Sequence, residues 1–111
     1  MQSQIREREG ITIIDFDGQL RGPDCKGFMT LIEQVLNDGK KKIVLNFDQV
    51  TFIDSGCIGS LMNARKAVVG QNAELAVMNL SDDQRDLFEM TRISSIFRIY
   101  LSETEMLDRM R

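Results

Sequence analysis

Histidine is missing from this sequence altogether. That absence removes imidazole acid–base catalysis, Ser-His-Asp triads and every histidine-containing metal site. Tryptophan is absent as well, and proline occurs once. Cysteine is limited to Cys25 and Cys57, which fit neither a disulfide framework nor a Cys-x-x-Cys metal or redox motif. The opening Met1-Gln2-Ser3-Gln4 is polar and carries no apolar signal segment. Together these features point to a reducing cytoplasm. No stretch approaches the roughly 18 apolar residues of a membrane span, so membrane insertion is not expected. Positive charge is not in excess either. With 14 Lys+Arg against 17 Asp+Glu the net charge is −3, which gives no general pull toward nucleic acid.

What is present reads as a folded chain. Its 111 residues, 42% hydrophobic and 28% charged, fit one domain over residues 1–111 with a single modest core. Gln4–Glu9 and Thr12–Phe16 read as two strands turning at Gly10. Asp17–Lys26 reads as a loop, broken by Gly18, Gly22 and Pro23. Phe28, Leu31, Ile32, Val35 and Leu36 then form one apolar helix face, and Asn37-Asp38-Gly39 ends it. Lys40-Lys41-Lys42 is read as a solvated loop guarding the next strand rather than as a phosphate patch.

Ile43–Phe47 is a nearly continuous apolar run, the mark of a strand covered on both faces. A helix follows Asp54-Ser55-Gly56 and runs to about Val69, stopping at Gly70. Its apolar stripe is read as Ile58, Leu61, Met62, Val68 and Val69, with Arg65 snorkelling from the middle. Leu75–Met78 and Ile96–Leu101 supply two more strands. Ser81-Asp82-Asp83-Gln84 is a capping box, and Ser102-Glu103-Thr104-Glu105 repeats its signature. The order is β-β-α-β-α-β-α-β-α. It is an α/β class with a largely parallel sheet and the first strand at an edge.

The chemistry concentrates at Phe52-Ile53-Asp54-Ser55-Gly56-Cys57-Ile58-Gly59, where an extended segment opens into a helix. In α/β sheets functional groups gather at such carboxyl ends of strands. Ser55 at the helix N-terminus either caps the helix or accepts a phosphate, which the free N–H groups and helix dipole would favour. Cys57 reads as a small, buried, inert thiol.

Val50-Thr51-Phe52-Ile53-Asp54-Ser55-Gly56-Cys57-Ile58-Gly59-Ser60-Leu61 resembles the phosphorylation-site segment of STAS domains, the anti-sigma factor antagonists. Asp17-Gly18-Gln19-Leu20 resembles the family's Gly-x-Leu turn, Gly70–Met78 its helix-end glycine and strand, and Ile96–Tyr100 its closing strand. The resemblance implies a non-enzymatic switch without cofactor. Unphosphorylated, it binds a kinase-type anti-sigma factor. Phosphorylation of Ser55 releases it, and a PP2C-type phosphatase resets it. The same resemblance implies a partner surface around Arg21, Asp54, Ser55, Gly56, Cys57, Gly59, Ser60 and Asn63. Three positions depart from the family pattern: Gly56 replaces Ser, Ala or Thr, Cys57 replaces Gly, and Arg21 replaces Asp.

Two other outputs compete. One is an unswitched STAS-type adaptor or scaffold, stressosome-like or an accessory to lipid transport. The other is a small enzyme or nucleotide-binding protein. Against the latter, no Gly-rich phosphate loop is present, Asp and Glu do not cluster as metal ligands, and Ser55 has no base beside it.

Overall fold

The first twenty residues make a hairpin. Strands β1 (Gln2–Arg8) and β2 (Ile11–Leu20) pair antiparallel with Arg8 opposite Ile11, leaving Glu9-Gly10 as a two-residue turn. Both turn residues have positive φ, 53° and 79°, as the twist of a tight hairpin demands. The computed structural model describes residues 1–110. After the hairpin come α1 (Cys25–Asn37), β3 (Lys42–Ile53), α2 (Gly56–Gly70), β4 (Glu74–Met78), α3 (Asp82–Met90), β5 (Arg98–Tyr100) and α4 (Glu103–Met110). Short 3-10 turns precede α1 and β5.

The five strands lie in the order β1-β2-β3-β4-β5 and are parallel from β2 onward. Edge strand β1 is almost wholly exposed and polar, which guards it against pairing with other chains. Helices α1, α2 and α3 pack on one face, around Ile14, Phe16, Leu45, Phe47 and Phe88. Helix α4 covers part of the other, placing Met106, Leu107 and Met110 against Ile11, Ile13 and Val44. Four phenylalanines, Phe16, Phe47, Phe88 and Phe97, run through the larger core in successive edge-to-face contacts of 6.1–6.4 Å.

Several boundaries differ from the expectation. The polar Asp17-Gly18-Gln19 stretch belongs to β2, not to a loop, because it pairs with the far end of β3 through two register shifts. Ile43–Phe47 and Val50–Ile53 are correspondingly one strand of 12 residues. The last strand is trimmed to Arg98–Tyr100, because Ile96 and Phe97 bond back to the Ile93 carbonyl at the end of the 3-10 segment Ile93–Ser95 and only Arg98–Tyr100 pair with β4. On α2 the buried residues are Cys57, Ile58, Leu61, Ala64 and Val68. Met62 and Val69 face outward, so small Ala64 occupies the place given to larger neighbours. Arg65 lies at the margin of that face and its Nε donates to the Ile96 carbonyl at 2.9 Å.

The lysine run is occupied locally. Lys40 pairs with Glu7, Lys41 donates to the Gln71 carbonyl and Lys42 to the Met110 carbonyl. The expected capping box at Ser81 forms in full. Its hydroxyl accepts from Gln84 N, while Gln84 Oε1 accepts from Ser81 N. Ser102 also caps, accepting from Glu105 N, but Glu105 reaches back to the Leu101 amide rather than to that of Ser102.

Candidate functional site

Strand β3 ends at Ile53 and α2 begins at Gly56, so Asp54 and Ser55 form a corner at the carboxyl end of the parallel strands. Asp54 holds the corner. Its backbone N–H donates to the Leu20 carbonyl at 3.2 Å. Its Oδ1 accepts from Cys57 N at 3.2 Å, and its Oδ2 accepts from Gly22 N at 3.1 Å. One carboxylate therefore caps α2 and ties the β2–α1 connection to the β3–α2 connection.

Ser55 does not cap with its side chain. Its backbone is already helical, at φ −64° and ψ −20°. A capping hydroxyl normally sits on an extended residue, as Ser81 does at φ −68° and ψ 168°. With Asp54 supplying the cap, Ser55 stands exposed at the N-terminus of α2.

Gly56 belongs to the same arrangement. A Cβ there would lie 3.2 Å from Asp54 Oδ1 and 3.6 Å from Gly22 Cα. Glycine leaves room for the Asp54 carboxylate to sit over the first turn. The absence of a side chain at this departure from the family pattern thus has a local steric meaning.

Cys57 is not a free thiol. It forms a disulfide with Cys25, across a Cα–Cα distance of 5.8 Å. The reading of two unlinked cysteines is corrected by the helix arrangement. Cys25 is the first residue of α1 and Cys57 the second of α2, and the two helices pack together. Both residues are buried, so Cys57 lies beneath the surface that Ser55 and Gly56 present.

Farther along α2, Gly59 and Asn63 are exposed one turn apart on the side of Ser55, with Ser60 half-buried beside them. Met62, 39% exposed, adds an apolar element to this strip. Arg21 is exposed as well. Its Nε donates to Gln19 and its guanidinium lies over the Phe52 ring, 4.7 Å from the centroid.

Phe52 was not singled out by sequence. It lies in an apolar run, yet it is 40% exposed beside exposed Thr51, while Val50 and Ile53 on either side are buried. It lines a groove of about 340 Å³ between β3 and α3, with Thr51, Leu87 and the exposed Met90.

A separate polar groove of about 460 Å³ lies beside β1, on the sheet face that α4 leaves open. There Arg6 pairs with Asp15 and, across to α4, with Glu103, which also takes Arg8. The bonds from Arg6 and Arg8 hold the Glu103 carboxyl down to about 2, and the bonds to Glu103 and Asp15 push the Arg6 guanidinium further up. Asp15 accepts from Asn46, and Asn46 from Asn79, continuing a polar row across three strands. Among the described residues no group of three or more His, Cys, Asp or Glu is placed to hold a metal ion. No helix among them is long and apolar enough to cross a membrane.

Comparison with known proteins covers this whole arrangement. An anti-sigma-B factor antagonist of Staphylococcus aureus is 27% identical over 77 residues, 69% of this chain and 68% of the relative. A solved structure described as a putative anti-sigma factor antagonist from Thermotoga maritima superposes with a TM-score of 0.88 at 20% identity, covering 96% of this chain and 92% of that one. The Bacillus cell fate determinant SpoIIAA in its phosphorylated form gives 0.75 at 20% identity, covering 99% and 100%. The model of the STAS domain matches residues 2–106, from the hairpin into α4. Sequence match and strand order agree along that length: this chain belongs to the STAS domain family.

Proposed function

We propose that this STAS domain, taken over residues 1–111, is a cytoplasmic anti-sigma factor antagonist that works by binding and has no catalysis of its own. It holds a kinase-type anti-sigma factor while Ser55 is unmodified, and phosphorylation of Ser55 by that kinase releases it. A PP2C-type phosphatase restores the binding form. The contact surface comprises Arg21, Asp54, Ser55, Gly56, Gly59, Ser60 and Asn63, and buried Cys57 supports it from below.

The observation that carries this reading is the exposed Ser55 at a helix N-terminus whose cap is supplied by Asp54 instead. A phosphate on Ser55 would add about −1.5 to −2 charges beside the Asp54 carboxylate. The backbone donors of α2 attract that charge while Asp54 opposes it, so modification changes the local field without needing to refold the domain. The Staphylococcus relative bears the antagonist name, and SpoIIAA has been solved phosphorylated.

The test is intact-mass spectrometry of the chain recovered from its native cells, with peptide mapping across Thr51–Lys66. A phosphate on Ser55 under at least one growth or stress condition is expected. Its absence under all of them would refute the switch and favour a constitutive adaptor. In parallel, Ser55→Asp should weaken capture of the kinase while the unfolding curve stays within about 0.5 kcal/mol of the parent.

A further inference from the structure

The Cys25–Cys57 bridge stands where the proposed phosphoacceptor corner meets α1, and nothing in the reading above uses it. We propose that the two cysteines are a reversible thiol–disulfide couple that sets how firmly the first turn of α2 is held, and through it access to Ser55. The second half of that statement rests on the phosphoswitch reading. The first half rests only on the cytoplasmic placement proposed with it.

The placement carries the inference. The bridge joins the opening turns of two helices, 32 residues apart in sequence, and Cys57 lies two residues beyond Ser55. Apart from the bridge, the corner is tied to the β2–α1 connection by the Asp54 side-chain bond to Gly22 and the Asp54 backbone bond to Leu20. Ser55 is exposed on a helical backbone, so how its hydroxyl is presented to a kinase depends on how firmly this corner is held. With the bridge formed, opening drags α1 with it. With the bridge broken, the first turn of α2 can open alone.

Location and count favour a reversible bond over a permanent strut. In a cytoplasm, protein disulfides are mostly transient and redox-sensing. These are the sequence's only two cysteines, so oxidation within the chain has one possible product and no rearrangement. A small apolar crevice lined by Leu20, Cys25, Phe28, Ile53, Cys57 and Leu61 flanks the bond.

The chemistry is thiol–disulfide exchange. Oxidation joins the two Sγ atoms and gives up two protons and two electrons to a low-molecular-weight disulfide, whose own S–S bond breaks into two thiols. Reduction by such thiols is the reverse, through a mixed disulfide on one cysteine.

The experiment equilibrates the full chain in buffers spanning ratios of reduced to oxidised glutathione and traps thiols with a maleimide. The bridged fraction is read by intact mass, and hydrogen exchange is followed at the amides of 55–59 in each form. The expected result is a reversible titration with a midpoint inside the glutathione range. Exchange at Cys57 and Ile58 should quicken roughly tenfold on reduction. Cys25→Ser should exchange like the reduced parent in every buffer, and the parent comparison stands without that variant should it fold poorly. A pair that stays bridged in the most reducing buffer, or exchange that is equal in both forms, would overturn the couple. Ser55→Ala is expected to titrate like the parent. If Ser55 is never phosphorylated in cells while α2 still loosens on reduction, the phosphoswitch is lost and the couple remains.

Discussion

Removing the Asp54 carboxylate tests the corner directly. In Asp54→Ala the amide of Gly22 loses its acceptor, the amide of Cys57 keeps only the Asp54 carbonyl at 3.1 Å, and the side-chain tie between the two loops is cut. Each bond to a charged acceptor contributes about 1.5 kcal/mol at the low end of its range, which suits a half-buried site. Losing an N-cap costs about 1 kcal/mol by itself, a cost already contained in the Cys57 bond. The sum is about 2–3 kcal/mol. For a chain of 111 residues the unfolding entropy is roughly 0.23 kcal/mol per kelvin, so Tm should fall by about 9–13 °C. Asp54→Asn keeps one acceptor oxygen and should lose about half as much. The assay is thermal and urea unfolding followed by circular dichroism, with both proteins fully oxidised so that the bridge contributes equally. An Asp54→Ala Tm within about 2 °C of the parent would show that these bonds hold nothing, and the account of an uncommitted Ser55 would fall with it.

Three further outcomes follow from the packing and charge. Glu103 is held at about 2 by Arg6 and Arg8, below its ordinary value near 4.3. Its contribution is complete above about pH 5 and fades as pH falls toward 2, so Glu103→Gln should cost about 1–2 kcal/mol at pH 7 and almost nothing near pH 2, by urea titration at each pH. Phe88→Ala removes a fully buried ring between Phe47 and Phe97 and should cost about 3–5 kcal/mol, read as loss of a cooperative transition or a large shift of its midpoint. Reducing the bridge should lower stability by about 3–4 kcal/mol, from the loop of residues 25–57 that it closes, measured by urea unfolding with and without dithiothreitol.

Periodicity in the sequence is enough to place α1, because its apolar residues recur at helical spacing, and the Ser81 box marks the start of α3 without any tertiary help. Asp17–Gln19 misleads because polar residues and a glycine resemble a loop. What makes them strand is the long partner β3, a nonlocal cause. At the site, Ser55 stands in the type of position expected of it, yet its local role passes to Asp54 because the corner backbone is helical. No spacing rule reports that. The cysteines illustrate the same limit more sharply. Each is local to its own helix, and their meeting depends on how two helices pack on one sheet face. Phe52 and Met62 are ordinary apolar residues until the register of β3 and the phase of α2 turn them outward.

The polar row Asp15–Asn46–Asn79 has a consequence for how the sheet finds its alignment. Strands β2, β3 and β4 are apolar along most of their shared length, and a run of interchangeable Ile, Val and Leu tolerates sliding by two residues with each side chain still on its proper face. Asp15 and Asn46 break that degeneracy. They lie opposite one another across the β2–β3 pair, and Asn46 reaches the residue that follows β4. A slide by two would set Asp15 against Val44, or Asn46 against Ile13, and in either direction would break the bond between Asp15 and Asn46. The row therefore acts as a key cut into an otherwise smooth bar. Filling it with valine would leave a sheet free to close in more than one alignment, trading a single native pairing for a mixture.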